Sequence, residues 1–168
     1  EAVKYYRLAA DQGHAAAQNN LARCYKNVDG VSVDKEEAVK YYRLAADQGH
    51  ANAQNNLGDC YKNVEGVSVD KEEAVKYYRL AADQGHANAQ TNLGDCYKNG
   101  GVLSAAKEDA VKYRRLAADQ GNANAQTNLG DCYKNGCGLY ADDAADVNKY
   151  GCAAAGGHAR VMICRMHP

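Results

Sequence analysis

Cysteine is the residue type best suited to chemistry in this sequence, and four of the seven cysteines recur with a period of 36 residues. The recurring residues are Cys24, Cys60, Cys96 and Cys132. Equivalent positions in stacked helical units lie about 10 Å apart, whereas a disulfide requires Cα atoms within about 7 Å and zinc ligands must lie closer still. We therefore predict four small, buried, apolar side chains. Cys137, Cys152 and Cys164 are irregularly spaced, and a disulfide among them remains an open alternative.

Histidine recurs with the same period, each time directly after a glycine. The histidines are His14, His50, His86 and His158, and Asn122 takes the same position in the fourth copy. An imidazole can bind a metal or act as a base. A position that takes either His or Asn within one chain is, however, typical of a cap on the helix that follows, and we predict that role.

Catalytic patterns are otherwise lacking in the sequence. Ser32, Ser68 and Ser104 recur in predicted loops, away from any candidate base. The glycine-rich segments 99–101 and 136–138 lack the G-K-S/T ending of a phosphate-binding loop. We therefore predict that the protein is not an enzyme, that it has no cofactor or metal, and that no small molecule is its substrate.

Charge and hydropathy exclude two further classes of partner. The 20 basic and 21 acidic residues give a formal net charge of −1 and are interspersed, whereas nucleic-acid binding needs clustered Lys and Arg. No apolar run approaches the ~18–20 residues of a membrane span. The sequence starts at Glu1 without a recognisable leader, and its regular copies carry one cysteine each. These features favour the cytoplasm, a reducing compartment.

The elements that position these residues belong to a tandem repeat of 36 residues. The string EAVKYYRLAADQGHA occurs three times without change, at 1–15, 37–51 and 73–87. A fourth copy starts at Asp109, and a degraded fifth extends to Ala159. We predict a repeat array over residues 1–160, with partial first and last units, and a divergent tail over 161–168.

Each unit is predicted to form two helices. In the second complete unit, the first helix covers Asn52–Asn63 and the second follows an N-cap at Asp70, ending before Gly85. The apolar stripe of the first helix is Ala53, Leu57, Cys60 and Tyr61, and that of the second is Ala74, Tyr77, Tyr78, Ala81 and Ala82. One such hairpin cannot bury its apolar face alone, so neighbouring units must stack. The predicted fold class is therefore an all-α, α/α solenoid of helix-turn-helix repeats.

These motifs resemble the Sel-1-like repeats, which are relatives of the tetratricopeptide repeat. The pattern is L-G-x-x-Y in the first helix, G-V-x-x-D in the loop and A-x-x-Y-Y-x-x-A-A-x-x-G in the second helix. In the second complete unit it is carried by Leu57, Gly58, Tyr61, Gly66, Val67, Asp70, Ala74, Tyr77, Tyr78, Ala81, Ala82 and Gly85. The resemblance implies a right-handed superhelix that serves as a scaffold or adaptor, binding partner proteins on its concave side. It also offers an alternative, a secreted branch that binds or hydrolyses β-lactams and has two cysteines per repeat.

Polar residues on the first helices are the candidate partner-binding site. In related repeats this helix lines the concave surface, where equivalent positions would form two ladders. One ladder is Asn19, Asn55, Thr91 and Thr127, and the other is Arg23, Asp59, Asp95 and Asp131. The amides suit an extended peptide and the carboxylates suit a basic one. Two alternatives remain: an ordinary solvated face, and a purely structural spacer.

Overall fold

The computed structural model of the chain describes residues 1–27, 32–63, 65–98 and 107–135, and these residues form eight α-helices. In chain order the helices are α1 Ala2–Asp11, α2 Ala15–Asn27, α3 Lys35–Asp47, α4 Ala51–Asn63, α5 Lys71–Asp83, α6 Ala87–Lys98, α7 Lys107–Asp119 and α8 Ala123–Asn135. Each helix packs against the helices next to it in sequence. The predicted all-α solenoid is confirmed. We call α2, α4, α6 and α8 the first helices, and α1, α3, α5 and α7 the second helices.

Local sequence determines where the second helices begin and end. The carboxylate of Asp70 accepts hydrogen bonds from the backbone N–H groups of Glu72 and Glu73, at 3.0 Å in each case. This is the N-cap that the sequence predicts. At the other end, Gly85 has a φ of 84°, a conformation that residues with a Cβ rarely adopt. The helix therefore stops and the chain turns into the next first helix.

The recurring His/Asn position caps the first helices, as predicted. Nδ1 of His86 accepts from the backbone N–H of Ala89 at 3.2 Å. Oδ1 of Asn122 accepts from the backbone N–H of Ala125 at 3.0 Å. Both side chains thus satisfy an N–H group that the first turn of a helix leaves unpaired. The cap explains why either residue type suits this position.

The core is built from one leucine per first helix, surrounded by alanines and tyrosines. Leu21, Leu57, Leu93 and Leu129 are fully buried. Of the recurring cysteines, Cys24, Cys60 and Cys132 are buried and Cys96 is half-buried. Cys60, Cys96 and Cys132 are free thiols, which agrees with the predicted apolar role. The other three cysteines, the degraded fifth copy and the tail lie outside the described residues, so the boundary at residue 160 stays a prediction.

Buried glutamines connect consecutive units, a feature that the sequence interpretation missed. Nε2 of Gln54 donates to the carbonyl oxygen of Ala46 at 3.2 Å, and its Oε1 accepts from Nε2 of Gln84 at 2.7 Å. The same bonds recur at Gln18 and Gln90. A buried amide is costly unless it is hydrogen-bonded, so each glutamine holds the second helices of two units at a fixed spacing.

Stacked tyrosines join the first and second helices within a unit. The rings of Tyr61 and Tyr77 are 5.8 Å apart between centroids and nearly parallel, at 5°. Arg43 donates to the hydroxyl oxygen of Tyr61 at 2.6 Å, and Nζ of Lys76 lies 5.4 Å from the centroid of the Tyr77 ring. Tyr25 and Tyr41 repeat the stack. The tyrosines therefore fill the space that larger apolar residues fill in a globular core.

Leu57→Asp is expected to unfold the middle of the array, because it places a carboxylate at a fully buried position without a partner. We expect a loss of more than about 4 kcal/mol in the free energy of unfolding, measured by circular dichroism during urea titration. Leu44→Asp is the matched control, since Leu44 is 44% exposed. Equal unfolding midpoints for the two variants would contradict the placement of Leu57.

Candidate partner-binding face

The amide ladder of the first helices is less accessible than the sequence indicates. Asn19, Asn55 and Thr91 are buried, and only Thr127, in the last described helix, is exposed. Three of the four side chains that we expected on an accessible ladder are therefore covered by protein. Their position lies where one first helix contacts the next, so the following unit covers them.

The buried amides hydrogen-bond the next unit. Oδ1 of Asn19 accepts from Nδ2 of Asn56, and Oδ1 of Asn55 accepts from Nδ2 of Asn92, at 3.1 Å in both cases. The hydroxyl of Thr91 donates to its own helix, to the carbonyl oxygen of Ala87 at 3.0 Å. All three groups already have partners, and the two asparagines join adjacent first helices.

The second ladder, by contrast, reaches solvent. Arg23 and Asp131 are exposed, while Asp59 and Asp95 are half-buried. The four residues lie at one position of successive first helices, one turn beyond the buried amides. We call them the charged row. Its members differ in sign and in environment.

Asp59 is held by a tyrosine that approaches closely over a glycine. Its Oδ1 accepts from the hydroxyl of Tyr78 at 2.7 Å and from Nδ2 of Asn92 at 3.4 Å. A Cβ atom at Gly58 would lie only 2.7 Å from a carbon of the Tyr78 ring, so the missing side chain allows this approach. Burial raises the pKa of Tyr78, and the nearby Asp59 raises it further. The tyrosine thus remains a neutral donor that orients the Asp59 carboxylate.

Asp95 has a cation in place of that tyrosine. Arg114 occupies the repeat position of Tyr78, and its Nη2 donates to Oδ1 of Asp95 at 2.8 Å. The arginine is only 1% exposed, and its Nη1 donates to Sγ of Cys132 at 3.1 Å. The charge of Asp95 is therefore balanced from within the protein. Along the row the charges are positive at Arg23, negative at Asp59, balanced at Asp95 and negative at Asp131.

A second set of polar contacts stiffens the start of the first helices. Nε2 of His86 and Oδ1 of Asn52 are 2.7 Å apart, and Nδ2 of Asn122 donates to Oδ1 of Asn88 at 2.8 Å. Burial lowers the pKa of His86 below its ordinary value, which favours the neutral ring. A neutral imidazole that caps a helix with Nδ1 and contacts Asn52 with Nε2 is already engaged on both nitrogens.

Burial suppresses the reactivity of the thiol next to Asp59 in sequence, that of Cys60. Burial raises the pKa of Cys60 to about 11, so the thiol stays protonated and is a poor nucleophile at neutral pH. Within the four described ranges, no group of three or more His, Cys, Asp or Glu side chains could hold a metal ion. No helix within these ranges is both long enough and apolar enough to cross a membrane.

Alkaline pH is expected to destabilise the fold through Cys60. The folded state keeps the thiol proton up to about pH 11, whereas an unfolded thiol loses it near pH 8.5. The unfolded state therefore binds fewer protons between these values, and the free energy of unfolding falls as pH rises through this window. Between about pH 8 and pH 10 we expect native chain to lose roughly 1–2 kcal/mol more than Cys60→Ala, measured by urea unfolding. Parallel losses in both proteins would contradict this assignment.

Arg114 and Asp95 are expected to respond very differently to substitution. Asp95→Ala leaves a buried guanidinium without its carboxylate and should cost about 3 kcal/mol, the lower end of the range for a broken buried pair because Asp95 is partly exposed. Arg114→Tyr restores the residue of the other copies and should be neutral or stabilising. Chemical denaturation of both variants and of the double variant tests this. A large loss in Arg114→Tyr would contradict it.

Comparison with known proteins agrees with this architecture. The family model described as the Sel1 repeat matches residues 1–14, 15–50, 51–86, 87–122 and 123–144. The fold is similar to that of a Sel1 repeat protein from Oxalobacter formigenes, with 34% identity and a TM-score of 0.81. It is also similar to a protective antigen of uropathogenic Escherichia coli strains that displays an SLR fold, with 34% identity and a TM-score of 0.85. No match was found among curated proteins.

The matched segments extend over most of this chain but only part of its neighbours. Each alignment covers 94% of this chain, and it covers 65% of the Oxalobacter protein and 33% of the Escherichia antigen. The chain thus spans less than two thirds of the length of either neighbour. The repeat boundaries of the family model coincide with the helix pairs of the structure, because each matched 36-residue segment contains one first and one second helix. This chain belongs to the Sel1 repeat family.

Proposed function

We propose that this protein is a non-enzymatic scaffold that binds protein or peptide partners along the charged row of its first helices. The partner segment that fits best is an extended one with basic side chains opposite Asp59 and Asp131. Membership of the Sel1 repeat family supports a scaffold role, since such repeats commonly serve protein interaction. The basic character of the partner is argued from this chain's own charges.

The observation that carries the proposal is the fixed geometry of Asp59. Its carboxylate is oriented by two donors, Tyr78 and Asn92, and both bind the same oxygen, Oδ1. Both donors are neutral groups, so they orient the carboxylate without balancing its charge. A preorganised charge loses little conformational freedom when a partner binds, and it selects for a basic group.

The neighbouring positions restrict which segments would fit. Arg23 would repel a basic residue at one end of the row, and the ion pair of Asp95 with Arg114 offers no unbalanced charge in the middle. A segment with evenly distributed lysines is thus a poorer match than one with basic residues at two positions. The row favours two basic positions separated by about two repeat spacings, or roughly 20 Å.

The proposal is tested by affinity capture from cell extract, followed by quantitative mass spectrometry. The binding variant carries Asp59→Lys and Asp131→Lys, and it leaves Asp95 in place because that residue pairs with buried Arg114. The control variant carries Glu36→Lys and Glu72→Lys, which make the same change of charge at exposed positions of the second helices. Circular dichroism establishes that all three proteins are folded.

Partners retained by the control and reduced at least 10-fold by the binding variant are the expected result, with weaker capture at high salt. Equal capture by all three proteins would move recognition to another face. Loss in both variants would indicate a response to net charge alone. Absence of any specific partner would favour the structural spacer.

A further inference from the structure

The second helices carry a row of exposed leucines that the core does not use. They are Leu8, Leu44, Leu80 and Leu116, one at the same position of each second helix. Their exposed fractions are similar, between 43% and 52%. Neighbouring second helices are about 10 Å apart, so the row extends over about 30 Å. We call it the leucine row.

Lysines line one side of the leucine row, and aspartates line the other. An exposed lysine precedes each leucine by four residues, and an exposed aspartate follows it by three residues. Both spacings place the residues on one helix face. The lysines are Lys4, Lys40, Lys76 and Lys112, and the aspartates are Asp11, Asp47, Asp83 and Asp119. On α3, Lys40, Leu44 and Asp47 line one shallow groove, which confirms that they share a surface.

The order of the three rows is the same along the whole surface. The units are copies of one sequence, so their second helices run in the same direction. Every lysine therefore lies on one side of the leucine row and every aspartate on the other. The face is apolar along its middle, with a row of lysines along one edge and a row of aspartates along the other. Lys40 and Lys76 also pair with Glu37 and Glu73 on their own helices.

We propose that this face binds a second copy of the chain, related by a two-fold axis that runs along the leucine row. A rotation of 180° about that axis places leucine on leucine and exchanges the two edges. The lysine edge of one copy then faces the aspartate edge of the other, on both sides of the apolar row. The surface is thus complementary to itself, as an isologous dimer requires.

The alternative two-fold axis, perpendicular to the row, is disfavoured by the same charges. It would place lysine opposite lysine and aspartate opposite aspartate, and such like-charge contacts are repulsive. The arrangement of charges therefore selects one of the two symmetric ways of pairing these faces. In the favoured arrangement, each repeat of one copy faces the same repeat of the other.

The available area suits a dimer of modest affinity. Four helices spaced about 10 Å apart and each about 20 Å long present roughly 600 Å² per copy, compared with about 800 Å² per partner in a standard interface. Existing contacts oppose docking only weakly. Nζ of Lys40 lies 3.0 Å from the carboxylate of Glu37 on its own helix, and Oδ1 of Asp83 accepts from the hydroxyl of Tyr113 at 3.3 Å. Such exposed contacts are weak and can be re-partnered. The charged row lies on the first helices and remains accessible.

The first test is the solution mass across a concentration series, measured by sedimentation equilibrium. The native chain is expected to double its mass with rising concentration. Leu44→Lys combined with Leu80→Lys should weaken dimerisation at least 10-fold. Val69→Lys is the matched control, because Val69 is 47% exposed and precedes α5, outside the second helices that carry the leucines. A native chain that stays monomeric at its highest soluble concentration, or a loss of dimer in the control alone, would overturn the proposal.

A charge exchange tests the direction of the two-fold axis. One variant carries Lys40→Glu and Lys76→Glu, and the other carries Asp47→Lys and Asp83→Lys. Each variant alone places like charges on both edges and should be monomeric. Their mixture should form a heterodimer, because every edge again faces the opposite charge. Unchanged homodimers of the variants, or no recovery on mixing two folded variants, would overturn this axis.

Discussion

The fold depends on one constraint: no helix pair in this chain can bury its apolar stripe without a neighbouring pair. Leu57 is fully buried, and burying such a side chain contributes about 2 kcal/mol. Part of the cover comes from α3 in the preceding unit, whose Val39 and Tyr42 belong to the same cluster. Stability is therefore shared between nearest neighbours, as in other repeat arrays. A defect at one junction weakens both units that meet there.

That constraint explains why so many polar side chains are buried. Close stacking of thin helix pairs places polar side chains at the junctions, where they must find hydrogen-bond partners. Gln54 bonds Ala46 and Gln84, and Asn55 accepts from Asn92. These bonds fix the spacing and the rotation between units more narrowly than apolar contacts alone. The orientation of the Asp59 carboxylate depends on that precision, because one of its two donors belongs to the next unit.

The sequence predicted the features that arise within one unit and missed those that arise between units. Asp70 as an N-cap, Gly85 as a helix end and the capping role of His86 follow from short-range rules, and the structure confirms them. Asn55 was expected on an accessible ladder, because a helical pattern does not show which polar side the next unit covers. The bridging role of Gln54 was not anticipated. The sequence shows Arg114 as a departure from the repeat, but it does not show that Arg114 pairs with Asp95. Asp95 precedes it by 19 residues and lies on another helix.

Because the copies are nearly identical, any specificity in binding a partner must come from the few positions at which they differ. Identical residues repeat the same surface at each step, which produces the long lysine, leucine and aspartate rows of the second helices. On the first helices the row would be a uniform series of carboxylates if every copy carried Asp and Tyr at the two positions. Arg23 reverses the charge at one end, and Arg114 balances Asp95 from beneath the surface. The two substitutions thus convert a uniform row of carboxylates into a pattern of charges. A pattern can distinguish one extended partner from another, whereas a uniform row selects only for net charge.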